Sequence, residues 1–285
     1  KTLYNRSILA LAQNHDSVVW IGSDGGGLNR LTPEHSQFII PPFRHQPNDK
    51  RSIAGNVVKA LFEDSRNRLW VGLFGAGLDR YKPESQTFEH ILGPPYSVWS
   101  ITERQNGELW AGTMGEGIVV LNPETLETDY LRHDPSNPKS LADLNVMAVY
   151  ADQSDQVWVG TIDQGLDRWV ESRKEFEHFR YNPEDPYSIS NNAIRSIFED
   201  SQGNIWIGTE GGGLNQWLGD GRFKRIGQSE GLVANSVMGI TEDEVGMIWV
   251  TTFEGISRLD PETMDIQNFD FRTHQNANQF KQSAL

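Results

Sequence analysis

A tryptophan followed two residues later by glycine, set in a short apolar run, returns along this chain at a nearly constant interval. Such a recurrence narrows the choice of fold more than any isolated motif. Trp20, Trp70, Trp110, Trp158, Trp206 and Trp249 stand 50, 40, 48, 48 and 43 residues apart, and only the last copy replaces the glycine, with Thr251. The flanks align with them: Ser-Asp-Gly-Gly-Gly-Leu-Asn-Arg (23–30) matches Leu-Phe-Gly-Ala-Gly-Leu-Asp-Arg (73–80). Units of about 46 residues fall among propeller blades and above the helical ankyrin and tetratricopeptide repeats. Each unit reads as four short strands. The first ends in an acidic turn, where an Asp recurs six residues before the Trp at Asp64, Asp152, Asp200 and Asp243, placed to accept backbone N–H groups. The second carries the Trp and leads into glycines suited to positive φ. The third is Gly-Leu-Asn/Asp-Arg, closed by Pro-Glu at Pro33, Pro83, Pro123 and Pro261, and the fourth is Phe-Glu-His-Phe (176–179) or its equivalent. Apolar/polar alternation is weak, as expected of sheets that pack on both faces, with the aligned Trp residues filling the widening gaps between radial blades.

The expectation is therefore an all-β chain: one β-propeller of four-stranded antiparallel blades over residues 1–285, closed with six blades or forming an incomplete seven-bladed ring, with 272–285 the start of a further blade. Composition removes several functions. Asp and Glu number 39 against 25 Lys and Arg, a net charge of −14 with no basic run, so neither nucleic acid nor an anionic membrane surface is an expected partner. There is no Cys, which excludes disulfides, thiol catalysis and Cys-based metal sites. No apolar run is long enough for a membrane span, and no leader-type segment opens these residues. His-Glu-x-x-His, Gly-x-Ser-x-Gly, calcium-loop and phosphate-loop patterns are missing, and the triple glycines at 25–27 and 211–213 belong to hairpin turns. The chain is accordingly read as a non-enzyme with no cofactor, no metal and no catalytic residues.

The string Asn-Ala-Ile-Arg-Ser-Ile-Phe-Glu-Asp-Ser-Gln-Gly-Asn-Ile-Trp-Ile-Gly-Thr-Glu-Gly-Gly-Gly-Leu-Asn (192–215) resembles the two-component regulator propeller repeat. So do the Pro-rich linkers His-Asp-Pro-Ser-Asn-Pro-Lys-Ser-Leu (133–141) and Tyr-Asn-Pro-Glu-Asp-Pro-Tyr-Ser-Ile (181–189). Some copies depart from the pattern: Arg104 replaces the turn Asp, Val120 the third-strand Arg, and Thr251 the glycine after Trp249. The resemblance implies a periplasmic sensor region of a membrane-anchored histidine kinase, hybrid two-component sensor or diguanylate cyclase. In such receptors tandem seven-bladed propellers precede a β-sandwich and a membrane helix. Implied partners are an adjacent propeller and the β-sandwich of the same receptor, and a second copy through the full receptor.

Function is expected where the repeats disagree, because conformity already follows from folding. In the glycine turns the divergent residues are Asp24, Phe74, Met114, Asp163, Glu210, Phe253 and Glu254. Near the start of each first strand one column reads Leu9, Lys59, Trp99, Met147, Arg195 and Met238. Both sets are expected near the mouth of a central channel. Trp99 offers an indole to a sugar ring or peptide side chain, and Lys59 and Arg195 offer cations to a carboxylate or sulfate. Trp169 and Trp217 share the third-strand column of Tyr81, and His45 and His133 recur in the linkers, so these read as structural. The leading expectation is a sensor that binds an oligosaccharide or related small ligand. The alternatives are a protein–protein platform and a lyase resembling the streptogramin-inactivating propellers, which would need a His/Glu metal site.

Overall fold

The computed structural model describes residues 3, 5–32 and 42–270. Each repeat folds into one antiparallel sheet whose strands pair in chain order, giving six blades of a β-propeller fold. Five blades are four-stranded; the first shows three strands, its expected fourth lying outside the described residues, as does the proposed start of a further blade at 272–285. The first strands are Ile8–Gln13, Val58–Glu63, Val98–Glu103, Val146–Ala151, Ile194–Glu199 and Val237–Glu242. Blades one to three lie in a compact unit spanning residues 1–131, and blades four to six in another spanning 132–283. Within each unit, first strands of successive blades lie against one another, as the strands nearest a propeller's axis do.

Intimate blade packing explains the glycine two residues after the Trp. A Cβ on Gly72 or Gly208 would run into Val98 or Val237, the opening residue of the next blade's first strand. A different glycine closes the hairpin: Gly77 holds φ +90°, and any side chain there would also collide with the Leu92 carbonyl. Five of the six aligned Trp residues are buried, and Trp249 is partly exposed, stacked on Phe269 at 5.5 Å.

The acidic turn does more than its spacing suggests. In four blades one Asp oxygen accepts two backbone N–H groups of the turn, while the other accepts the indole N–H of the Trp six residues on. The indole bonds measure 2.8 Å at Asp64, 2.9 Å at Asp152 and 2.8 Å at both Asp200 and Asp243. A third-strand Arg then lies over the same indole, 5.5 Å from the ring centre for Arg80 on Trp70 and 5.6 Å for Arg168 on Trp158. Blade three departs at both positions together. Its Val120 supplies no cation, and Arg104, standing where the Asp would be, covers Trp110 from 5.6 Å instead.

Two further contacts recur between neighbouring blades. The Glu that ends a first strand reaches the turn of the preceding blade: Glu103 accepts from the Ser65 N–H at 2.6 Å and hydroxyl at 2.8 Å, and Glu242 accepts both from Ser201 at 2.7 Å. The incoming linker is gripped by the third strand. Asp79 accepts the Ala54 N–H and Asp167 the Ala142 N–H, each at 2.8 Å, and each carboxylate also meets a fourth-strand histidine Nδ1, of His90 or His178, at 2.6 Å. His178 Nε2 lies 3.0 Å from the Pro138 carbonyl, so both of its ring nitrogens face acceptors and the imidazolium satisfies them. The Asp167 bond draws the His178 pKa upward, while burial raises that of Asp167. In blade five the same pair of positions holds Asn215 and Arg225, whose guanidinium bonds the Ser188 and Asp185 carbonyls. His45 and His133 close their linkers through Nδ1 on the Ile53 and Leu141 carbonyls at 2.9 and 2.8 Å.

Candidate functional site

The divergent first-strand column has a backbone explanation that the repeat pattern does not reveal. In all six blades the pairing of first and second strands slips by one residue at that position: Val58 pairs with Leu73 but Ala60 with Gly72, and Val98 with Thr113 but Ser100 with Gly112. Leu9, Lys59, Trp99, Met147, Arg195 and Met238 are each the additional residue of a β-bulge. A bulge leaves its extra residue outside the ladder and re-aims the side chain, a device found at sheet edges and beside binding sites.

The bulge residues adjoin the glycine turns. In five blades the residue after the second strand donates its N–H to the carbonyl just before the first strand, as Phe74 does to Val57 at 3.0 Å, Met114 to Ser97 at 3.0 Å, and Glu210 to Ala193 at 2.9 Å. Blade four makes this bond from Ile162 to Asn145 at 3.1 Å, so Ile162 holds the place equivalent to Glu210 and Asp163 is the next residue, accepting from Gln164 at 3.0 Å. Sequence alone does not single out Ile162, since only the hydrogen bond fixes which member of the loop is equivalent.

In the first unit the Lys59 ammonium sits 4.2 Å from the centre of the Trp99 ring. Trp99 is half-buried, and neither its indole N–H nor the neighbouring Ser100 hydroxyl has a hydrogen-bond partner among the described residues. Phe74 stands 54% exposed at the glycine turn of the Lys59 blade. In the second unit Arg195 forms an ion pair with Glu210 of the same blade, its Nε and the Ser196 hydroxyl are buried without partners among the described residues, and burial lowers its pKa. Met147 and Met238 are buried, Phe253 is 39% exposed, and Glu254 is partly buried with its N–H on the Thr252 hydroxyl. The structure thus brings Lys59 to Trp99 and Arg195 to Glu210, and puts the two methionines into packing. Among the described residues no three His, Asp or Glu side chains gather as metal ligands, and no helix is long and apolar enough to cross a membrane.

The family model for the two-component regulator propeller matches residues 52–75 and 188–211, each running from a linker through the acidic turn and Trp strand into the glycines. Two of the six repeats thus match the two-component regulator propeller model. No curated protein matches it. Among solved structures it is similar to the extracellular domain of a B. thetaiotaomicron protein described as a hybrid two-component system, with 27% identity and a TM-score of 0.67. That match covers 98% of this chain and 36% of the other, so the chain spans about a third of its relative's length. Virginiamycin B lyase from Staphylococcus aureus is similar in fold, with a TM-score of 0.69 at 14% identity over 95% of this chain and 87% of that one.

Proposed function

We propose that this chain is the ligand-sensing propeller of a membrane-anchored extracytoplasmic receptor, periplasmic in location, that binds an oligosaccharide or related small ligand beside its bulge residues and does no chemistry on it. The observation that carries this reading is the coincidence of two patterns: the positions where the repeats differ most are the ones the backbone lifts out of the ladder, next to the variable residues of the glycine turns. The B. thetaiotaomicron relative supports the receptor context. Within the first unit Trp99 would stack on a sugar ring, with Lys59 covering its other face; within the second, Arg195 with Glu210 would offer a polar contact of its own. Binding would signal by favouring one packing of the receptor's propellers, β-sandwich and second copy over another, which requires unequal affinity for the two. The output module is a histidine kinase, a hybrid kinase or a diguanylate cyclase.

A thermal-shift panel of neutral and acidic oligosaccharides tests this. One occupied site at about 100 times its Kd adds about 2.7 kcal/mol, a shift of several degrees for a chain of this size. The expected result is a shift with one glycan class that Trp99→Ala abolishes while the variant's own melting remains cooperative. A shift that survives Trp99→Ala, or none across the panel, rejects the assignment. The exposed Phe74 and Phe253 favour a second reading, a protein partner at the same turns, for which Phe74→Ser would weaken binding and the glycan panel would be silent.

A further inference from the structure

Linkers do more than join blades. Those entering blades two, four and five first cross their own blade's outermost strand, where the Arg51, Lys139 and Tyr187 carbonyls accept the N–H groups of Phe88, Phe176 and Phe223 at 2.9, 2.8 and 2.7 Å. In blade six the linker's Gly231 carbonyl accepts from the Asn268 side chain of that strand at 2.8 Å. Blade three has no such strap among the described residues. Its linker is only residues 93–97, against 132–145 and 180–193 for blades four and five, which leaves no length for the detour. The outermost strand of blade three, Thr128–Leu131, pairs Thr128 with Leu121, just as Phe88 pairs with Tyr81 and Phe176 with Trp169. The Asn122 N–H on the Glu127 carbonyl at 2.9 Å fixes the alternation, so Thr128 and Tyr130 turn their backbone groups away from the sheet. The Tyr130 N–H is held at 2.8 Å by the carboxylate of its neighbour Asp129, whereas the Thr128 N–H meets no linker carbonyl among the described residues. Both Thr128 and Asp129 are exposed.

The same strand lacks a cation as well as a strap. Glu89 and Glu177, each the residue after a strapped Phe, form ion pairs with Arg80 and Arg168 directly across on the third strand. Blade three sets Asp129 opposite Val120, and no cation pairs with it among the described residues. Open backbone groups on a strand edge fit an extended chain, and a facing carboxylate without its cation selects a basic one. We infer that this edge, separate from the bulge residues, docks an extended basic segment of a partner protein. A carbonyl of that segment takes the place of the missing linker carbonyl on the Thr128 N–H, and a Lys or Arg beside it takes the place of Arg80 or Arg168 on Asp129. A second copy fits less well, because chains of net charge −14 repel one another.

The probe is acetyl-(Lys-Thr)4-amide, an alternating basic strand. Acetyl-(Pro-Lys-Pro)4-amide is the control of equal charge, held by its prolines in a helix that cannot join a ladder, and acetyl-(Glu-Thr)4-amide is the control of opposite charge. Binding is followed at the Thr128 amide in 1H–15N spectra, identified by its loss in Thr128→Pro. The basic strand should shift this resonance saturably and slow its exchange with solvent by about tenfold or more, and neither control should. Thr128→Pro keeps the pairing with the third strand, since that N–H takes no part in it, and should melt cooperatively yet lose the binding in calorimetric titration. Val120→Arg returns the cation from within and should weaken binding about two- to fivefold, the range of an exposed ion pair. Both variants should leave any glycan shift at Trp99 unchanged, so this inference and the sensing assignment fail separately. Equal binding of the two basic peptides, an unmoved Thr128 amide, or a Val120→Arg titration matching that of the unaltered chain overturns the inference, whether or not Thr128→Pro folds. Dimerisation through this edge without peptide binding also overturns it and assigns the edge to a second copy.

Discussion

In four blades one carboxylate joins a turn to a core ring, and its two oxygens do separable work. Asp200 is 1% exposed and holds the Gln202 and Asn204 N–H groups with Oδ1 and the Trp206 indole with Oδ2. Asp200→Asn keeps the turn acceptor but loses the indole acceptor, and should cost about 1–2 kcal/mol; Asp200→Ala strands these donors and the Asn204 side-chain amide as well, and should cost roughly 3 kcal/mol or more. Urea unfolding of the two variants measures the difference. Asn14 holds the same position in the first blade, its Oδ1 accepting the Val18 N–H while the Trp20 indole N–H has no partner among the described residues, so Asn14→Asp should stabilise by about 1 kcal/mol. The turn role of these Asp residues was legible in the sequence because a short acid near glycine or asparagine is local chemistry. The indole bond was not, since it depends on how far the hairpin carries the Trp back toward the turn. Trp99 was singled out correctly as lying off the repeated Trp column, yet its bulge was invisible, because one additional residue in a first strand leaves composition and period unchanged.

Between elements, the linker clamp carries a pH dependence. His178 has a raised pKa in the folded chain, so its contribution is complete below the ordinary histidine value of about 6.5 and is lost as pH climbs through the folded value. Asp167, raised by burial, works in the same direction, its ionisation being less favourable in the fold than in the open chain. Urea unfolding between about pH 6 and 9 should therefore show stability falling with pH, and His178→Gln should flatten that slope. Arg225 at the corresponding position of blade five keeps its charge throughout, so Arg225→Gln should destabilise equally at both ends of the range. Lateral staples make a separate prediction. Glu242→Ala removes two acceptor contacts at an exposed turn, should cost about 1 kcal/mol, and should speed amide exchange at Ser201. Neither device was foreseen, because each joins residues some 40 apart or pairs strands whose register the sequence does not state.

For the whole molecule, the period and the four-strand reading of each repeat were enough to reach six blades, since no other repeat class combines that interval with so much glycine and so few helix signals. The surplus of acidic charge acts on the fold as well as on its choice of partners. Self-repulsion of a −14 chain is relieved by salt, so the melting temperature should rise between about 20 and 200 mM NaCl, as read by calorimetry. The bulges have a different bearing. A residue outside the ladder count can be exchanged for a larger, charged or aromatic one without renumbering the strands around it. Leucine, lysine, tryptophan, methionine and arginine already occupy it here over one unchanged pairing scheme. Six such places let inheritance rewrite what the propeller recognises while its architecture stays fixed, so specificity and foldability can drift independently.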